Sequence, residues 1–309
     1  MIFDQNTVLV LGAGASSPYK FPLGRKLKQL IVDNTKKGKS KHRSHFLAAG
    51  FSENDIDEFH ADLARSVNTT IDSFLEDRPS RRKIAAFAIA AALVPLESED
   101  SLFPPTDWYP ILFKELALRG DYGESTVSAI ITFNYDRSLE HYLTETAKRT
   151  YENDQRVRAL NTLARLPIIH LHGQLGSYPQ VPYVPNRRSD EIEQAAQSLS
   201  MIYDHHVGTS TEFERARQSL KEATDLLFLG FGYDKRSLER LGVLDNSFRC
   251  NIYGTSFGMS EEQRAELASI FKKRILLARG DRRIVHYLTD FHRLKLKDRA
   301  RKAHAANRN

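Results

Sequence analysis

The feature of this sequence that most constrains its fold is a repeated alternation of short apolar runs with stretches of helical period. Six runs have the length and apolar character of buried parallel strands, at residues 7–12, 128–133, 167–171, 225–230, 250–253 and 274–278. Helical stretches follow them at residues 23–34, 136–148, 190–200, 211–222, 235–241, 260–271 and 282–293. The alternation predicts an α/β fold with a doubly wound parallel sheet, in which ligands bind at the carboxyl ends of the strands.

The alternation is interrupted between the first and second apolar runs. Residues 42–49, 53–65, 70–76 and 81–94 are all helical in period or propensity, and no strand-like run separates them. We therefore expect a helical insertion domain at residues 37–120 within a core domain formed by residues 1–36 and 121–290. The longest apolar stretch, residues 84–94, is much shorter than the roughly 20 residues that a spanning helix needs. It predicts a buried helix and no membrane association.

Cysteine content and the N-terminus both bear on the compartment. Cys250 is the single cysteine, which excludes an intramolecular disulfide and a cysteine-rich zinc site. A secretory signal has a basic segment before its apolar run, and the first residues of this sequence have none. We expect a cytoplasmic protein.

Basic residues are concentrated at the C-terminus. The net charge of the chain is +6, and residues 291–309 contain seven basic residues and one acidic residue, so this segment accounts for the whole excess. Such a run predicts a solvated basic tail, and weak contact with nucleic acid or an acidic partner is the alternative interpretation. The remainder of the chain is balanced in charge, which argues against a general polyanion-binding protein.

A glycine-containing loop follows the first apolar run and precedes a helical stretch. Its sequence is Gly12-Ala13-Gly14-Ala15-Ser16. Glycines at such a turn permit close backbone approach to a diphosphate, which the following helix stabilises electrostatically. Ser17 stands where the dinucleotide-binding fingerprint has its third glycine, and this disfavours a conventional hydride-transferring dehydrogenase. A tight turn without a ligand is the alternative.

Two further motifs end the second and third apolar runs, Asn134-Tyr135-Asp136 and His170-Leu171-His172-Gly173. In this order, and together with the glycine loop, they resemble the motifs of the sirtuin superfamily. The resemblance is closer to the bacterial sirtuin-like proteins of anti-phage defence systems, which cleave NAD rather than deacylate proteins. Residues 174–224 contain no cysteine, so the four-cysteine zinc ribbon of the deacylating sirtuins is missing.

The resemblance implies that the core is a Rossmann-like NAD-binding domain and assigns roles to its polar residues. Cleavage of the nicotinamide–ribose bond develops positive charge on the sugar and needs a base and a rigidly held ribose. By resemblance, His172 is the general base, and Asn134 holds the ribose and positions the attacking water. Asp136 would bind the nicotinamide carboxamide. His170 competes with His172, although a position in the core suits it better, and an Asx turn that caps the next helix is the alternative for Asp136.

Further binding residues are expected by the same resemblance at the ends of two later strands. The residues expected to contact the adenosine ribose and diphosphate are Gly230, Phe231, Gly232, Tyr233, Gly254 and Thr255. Plain turns are the alternative for both sets. Asp72 lies in a segment recurrent in bacterial sirtuin-like proteins, where it either faces the site or caps a helix. His205-His206 has no further ligands at useful spacing, so we expect no metal.

The resemblance implies an NAD glycohydrolase that releases nicotinamide and ADP-ribose, with NAD as its substrate, in an antiviral defence system. A catalytically silent module that binds NAD or ADP-ribose is the first alternative, and an NAD-dependent protein deacylase is the second. Because NAD depletion is toxic, we expect regulation by a partner, either a DNA-translocating ATPase or an Argonaute-like protein. We also expect a homo-oligomer.

Overall fold

The sheet lies where the sequence predicts it. The computed structural model describes residues 3, 6–38, 41–117, 127–203, 211–245 and 248–306. Within these ranges each expected strand is present, with its ends moved by no more than one residue. The strands are β1 (Thr7–Leu11), β2 (Val127–Thr132), β3 (Ile168–His170), β4 (Asp225–Leu229), β5 (Asn251–Gly254) and β6 (Ile275–Leu277).

All six strands are parallel and follow the order β3-β2-β1-β4-β5-β6. This is the order of the Rossmann fold, and the chain reverses its direction of winding between β1 and β4. Leu11, at the end of β1, lies opposite Thr132 of β2 and Leu229 of β4. The carboxyl ends of the three central strands therefore meet at one edge, where a ligand crevice forms in such sheets.

Side chains of β1 contribute to the core on both faces of the sheet. Leu9 and Leu11 pack with the helical residues of one layer, whereas Val8 and Val10 pack with those of the other. Successive residues of a strand point to opposite faces, and a run that is apolar at every position requires cover on both. This is why the five residues of β1 are all buried.

The helices that cover the sheet were also largely predictable from period. Within the described residues they are α1 (Ala13–Ser16), α2 (Gly24–Thr35), α3 (Lys41–Ala48), α4 (Glu53–Arg65), α5 (Ile71–Asp77), α6 (Arg82–Leu93), α7 (Tyr109–Ala117), α8 (Ser138–Thr150), α9 (Asn153–Arg165), α10 (Ser189–Tyr203), α11 (Thr211–Lys221), α12 (Lys235–Leu241), α13 (Glu261–Ile270) and α14 (Ile284–Ala306). Short 3₁₀ turns occupy Ser17–Tyr19, Pro79–Arg81, Val94–Leu96 and Glu99–Ser101. The sequence did not predict α1, α7 or α9.

The expected insertion is helical but does not form a core of its own. Every residue of α6 from Ile84 to Leu93 is buried, and this helix packs against α2 and α10 of the surrounding domain. Trp108 donates a hydrogen bond from its indole nitrogen to the carbonyl oxygen of Ala15 at 2.9 Å. The insertion therefore shares one hydrophobic core with the sheet. Among the helices that the structure describes, none combines the length and apolar character needed to cross a membrane.

The C-terminal segment begins inside a helix rather than as a separate tail. The expected boundary at residue 291 falls within α14. Phe291 and Lys295 of this helix are both buried against the domain. Lys295 forms an ion pair with Asp225, the first residue of β4. The helix continues to Ala306, and Arg293 on it is exposed. The first part of the basic segment is thus packed on the sheet.

A buried ion cluster fixes the chain that follows β3. The Arg137 guanidinium donates to both carboxylate oxygens of Glu97, at 3.0 and 2.6 Å, and to the carbonyl oxygen of Val181 at 2.7 Å. Arg187 pairs with the same carboxylate. A buried carboxylate without such partners would be costly, so the cluster ties residues 181–187 to the insertion at Glu97.

Candidate functional site

A cavity of about 730 Å³ opens at the carboxyl edge of the central strands, a volume within the range of small-molecule sites. The loops after β1, β2, β3 and β4 form its floor, and the insertion contributes residues of α5 and the segment before it. The residues expected to act on or bind a ligand that line this cavity are Gly12, Ala13, Ser16, Asn134, Asp136, His172, Phe231 and Gly232. The two residues expected to be catalytic thus face one cavity.

The glycine loop is held against the loop after β4. The amide of Gly12 donates to the carbonyl oxygen of Leu229 at 3.1 Å, and that of Gly14 donates to the carbonyl oxygen of Gly230 at 2.9 Å. A side chain at Gly12 would place its Cβ 2.7 Å from the oxygen of Gly230. The glycines are therefore required by the approach of two loops. Gly14 and Ala15 lie behind the cavity and do not line it.

Asn134 is buried and its amide group is held by the glycine loop. The Nδ2 atom donates to the carbonyl oxygen of Gly12 at 3.0 Å and to the hydroxyl of Ser16 at 2.9 Å. An asparagine amide has two hydrogens, and these two bonds use both. A ligand in the cavity therefore meets Asn134 as a hydrogen-bond acceptor, through its side-chain oxygen.

His172 lies against aromatic rings at the cavity wall. The ring centroids of Phe133, Tyr135 and Phe213 are 5.5, 6.2 and 6.4 Å from that of His172. Burial lowers the pKa of His172, the negative charge of Asp72 raises it, and the positive charge of Arg240 lowers it again, with a net decrease. The imidazole is accordingly neutral at pH 7, as a general base must be.

His170 points to a different environment. Its Nδ1 atom lies 2.9 Å from the carbonyl oxygen of Asn134, and its Nε2 atom lies 2.6 Å from a carboxylate oxygen of Glu140. Burial opposes the charged form, but the charge and hydrogen bond of Glu140 outweigh it, and the pKa of His170 is raised. Because it contacts the backbone of Asn134 and does not line the cavity, His170 positions the loop that carries Asn134.

Asp136 forms the Asx turn considered for it and also lies at the cavity. One carboxylate oxygen accepts hydrogen bonds from the amide nitrogen of Ser138, at 3.2 Å, and from its hydroxyl, which is the Asx turn at the start of α8. Burial raises the pKa of Asp136, whereas its hydrogen bonds from Ser138 and Ser16 lower it, with a net increase. Asp136 also lines the cavity, so it is accessible to a ligand.

At the later strand ends, Phe231 and Gly232 line the cavity, whereas the other expected residues join the two strands. The Tyr233 hydroxyl donates to the carbonyl oxygen of Thr255 at 2.8 Å, and the amide of Gly230 donates to the Thr255 hydroxyl at 2.9 Å. A side chain at Gly254 would place its Cβ 2.0 Å from the Tyr233 hydroxyl. Gly230, Tyr233, Gly254 and Thr255 therefore hold β4 and β5 together, and none of them lines the cavity.

The insertion supplies a carboxylate to the cavity. Asp72 lines it, and the Tyr135 hydroxyl donates a hydrogen bond to Asp72. The cap of α5 is Thr70, whose hydroxyl accepts from the amide of Ser73 at 3.2 Å in a reciprocal capping box. Of the two roles considered for Asp72, capping is therefore wrong, because Thr70 occupies that position.

Sequence reasoning missed four charged residues at the cavity, Glu76, Asp234, Arg236 and Arg240. Arg236 and Arg240, one helical turn apart on α12, both line it and both pair with Glu76 of α5. Their sequence signal is weak, because charges at this spacing are typical of any exposed helix. Only the tertiary fold shows that they face the cavity.

The comparison with family models agrees with this geometry. Residues 128–242 match the SIR2-like domain family. This matched range, the SIR2-like segment, contains all but the first residue of β2. It also contains β3, β4 and α12, and hence Asn134, His172 and both arginines. No curated protein matches the chain. Over these residues the chain is similar to SIR2-like domains, and the sheet has the strand order of the Rossmann fold.

The SIR2-like segment ends before β5, and residues 1–127, including the glycine loop and the insertion, lie outside it. Across the residues that the structure describes, no group of three or more His, Cys, Asp or Glu side chains is placed to hold a metal ion. The pair His205-His206 lies outside the described residues.

Proposed function

We propose that this protein is an NAD glycohydrolase, which cleaves the nicotinamide–ribose bond of NAD to give nicotinamide and ADP-ribose. The observation that carries the proposal is the convergence of Asn134 and His172 on one cavity beside the glycine loop. A module that only binds NAD has no need of a neutral, buried imidazole and an anchored amide at the same place.

The side chains suit the chemistry of this cleavage. His172 is neutral at pH 7 and accepts a proton from the incoming water or a ribose hydroxyl. Asn134 accepts a hydrogen bond through its side-chain oxygen, which orients a ribose hydroxyl or the attacking water. Asp136 accepts from the carboxamide of nicotinamide. The aromatic rings of Phe133 and Tyr135 exclude water from one side of His172.

The test is release of nicotinamide from NAD by the purified protein. We expect Asn134→Ala and His172→Ala each to lower kcat at least about 100-fold, because each removes a group that contacts the reacting ribose or water. The matched controls are Asn54→Ala on α4 and His286→Ala on α14, two exposed positions outside the cavity lining, which should retain wild-type activity.

A binding measurement, made beside the nicotinamide-release assay, separates catalysis from binding. Thermal shift with NAD and with ADP-ribose should show stabilisation of the wild type and of His172→Ala. If wild type and both cavity variants bind NAD equally and none of them releases nicotinamide, the protein is a binding module. Release of acetyl groups from a peptide would identify a deacylase.

We further propose that the protein acts in antiviral defence as a homo-oligomer under the control of a partner, either a DNA-translocating ATPase or an Argonaute-like protein. The support is the resemblance of the strand-end motifs and the toxicity of unregulated NAD depletion. Size-exclusion chromatography and NAD cleavage with and without such a partner test this. A lone monomer with full activity would contradict it.

A further inference from the structure

Two arginines supply the positive charge of the cavity. Among the described residues that line it, Arg236 and Arg240 are the only lysine or arginine side chains. Four carboxylates line it as well, those of Asp72, Glu76, Asp136 and Asp234. A ligand that carries phosphate groups is repelled by most of this surface, and α12 is the one part of it that attracts such a ligand.

Glu76 forms an ion pair with each of the two arginines. One of its carboxylate oxygens lies 2.7 Å from Nη1 of Arg240, and the other lies 2.5 Å from Nη1 of Arg236. The side chains of Glu76 and Arg240 are 20% and 21% exposed. The pairs connect α5 of the insertion to α12 of the SIR2-like segment, and all three residues line the cavity. The Arg240 pair is partly buried, whereas the Arg236 side chain is 60% exposed, so its pair with Glu76 is a surface ion pair.

Three backbone amides of the glycine loop already donate hydrogen bonds within the protein. The amides of Gly12, Gly14 and Ala15 donate to the carbonyl oxygens of Leu229, Gly230 and Gly12. These donors are the ones that a dinucleotide-binding loop of this kind offers to a diphosphate. These three amides are therefore not available to a diphosphate, which gives weight to the charged side chains that line the cavity.

We propose that Arg236 and Arg240 bind the diphosphate of the dinucleotide, and that Glu76 competes with the diphosphate for them. The inference rests on the proposed function, since it assumes a dinucleotide substrate. A diphosphate carries more negative charge than one carboxylate and has oxygens for both guanidinium groups, so it neutralises the two arginines better than Glu76 does. Entry of the ligand then breaks the contact between α5 and α12.

The proposal predicts opposite signs for variants on the two sides of the same ion pair. Arg236→Gln and Arg240→Gln remove a ligand of the diphosphate and weaken binding. Glu76→Gln removes the competitor and strengthens binding. If the pairs served only to hold α5 on α12, all three substitutions would change affinity in the same direction.

The experiment measures the dissociation constants of ADP-ribose and of inorganic pyrophosphate by calorimetry for the wild type and the three variants. We expect Arg240→Gln to weaken ADP-ribose binding about tenfold and Glu76→Gln to strengthen it several-fold. The matched control is Lys235→Gln, which removes a positive charge from the same helix outside the cavity lining, and its constants should match the wild type.

The two probes distinguish the failure of this inference from that of the proposed function. Pyrophosphate binding that depends on the arginines, without binding of NAD or ADP-ribose, retains the anion site and contradicts the NAD glycohydrolase. Binding of ADP-ribose that the arginine substitutions leave unchanged, or that Glu76→Gln weakens, overturns the anion site. If neither ADP-ribose nor pyrophosphate binds, the anion site and the proposed function are both overturned.

Discussion

The pKa values of His170 and His172 are shifted in opposite directions because the two side chains contact different groups. His170 pairs with the Glu140 carboxylate, which raises its pKa, whereas His172 lies among aromatic rings, and burial lowers its pKa. The sequence shows two histidines two residues apart and cannot show which has a carboxylate beside it. Glu140 comes from α8, and its position depends on how that helix packs.

The activity should depend on pH through His172. The neutral imidazole is the active form, and its pKa lies below the ordinary value of about 6.5. We expect kcat/KM for NAD cleavage to remain level as the pH falls to about 6.5 and to decrease only below it. A pH profile of nicotinamide release measures this. Activity that is already falling with decreasing pH above about 7 would show that His172 is not the base.

Stability should depend on pH through His170. Its folded-state pKa is raised, so its contribution is fully present below the unfolded pKa and is lost as pH rises through the folded pKa. We expect His170→Gln to lower the free energy of unfolding by about 2 kcal/mol near pH 6 and by less near pH 9. Urea denaturation at both pH values measures the difference. The exposed His286→Gln should show no such contrast.

Secondary-structure elements were the level at which sequence reasoning succeeded best. Buried parallel strands are apolar at every position and amphipathic helices have a clear period, so all six strands and most helices were predicted. Helices α1, α7 and α9 were missed, and Ala159 is the one buried residue of α9. Glu76 and Arg236 lie 160 residues apart in sequence, and no local pattern indicates that α5 and α12 meet.

The loops after β1 and β4 can be tested by adding one methyl group. Gly230 has a φ of +58°, and a Cβ there would lie 2.2 Å from the amide nitrogen of Ala15. We expect Gly230→Ala to cost more than about 3 kcal/mol, since backbone atoms of both loops must move. Gly258 also has a positive φ of +75° but no atom within 4 Å, so Gly258→Ala should cost only about 1 kcal/mol.

Thermal or urea unfolding of both glycine variants separates crowding from backbone strain, because only Gly230 has both. Equal losses in the two variants would mean that the close approach of the loops contributes nothing. Loss of NAD cleavage by Gly230→Ala at a temperature where it remains folded would show that the same contact positions the cavity floor.

On the scale of the whole molecule, the insertion and the C-terminal helix are both integrated with the sheet. Helices α2 to α7 lie between β1 and β2, and the sequence pattern does not show that they share the core of the sheet. The sequence also predicted a tail at residues 291–309, because charge counts do not show that one lysine of a basic run is buried. That lysine, Lys295, pairs with Asp225 at the amino end of β4.

The buried pair predicts how far the molecule depends on its C-terminal helix. Both side chains are almost fully buried, and Lys295→Met leaves the Asp225 carboxylate without that cation, which should cost about 3 kcal/mol. The double variant Asp225→Asn with Lys295→Met removes both charges and should recover most of the loss. Arg293→Met, at an exposed position on the same helix, should stay within about 0.5 kcal/mol of wild type. Urea unfolding of the three proteins measures these energies, and a Lys295→Met variant as stable as Arg293→Met would mean that α14 is not anchored to the sheet by this pair.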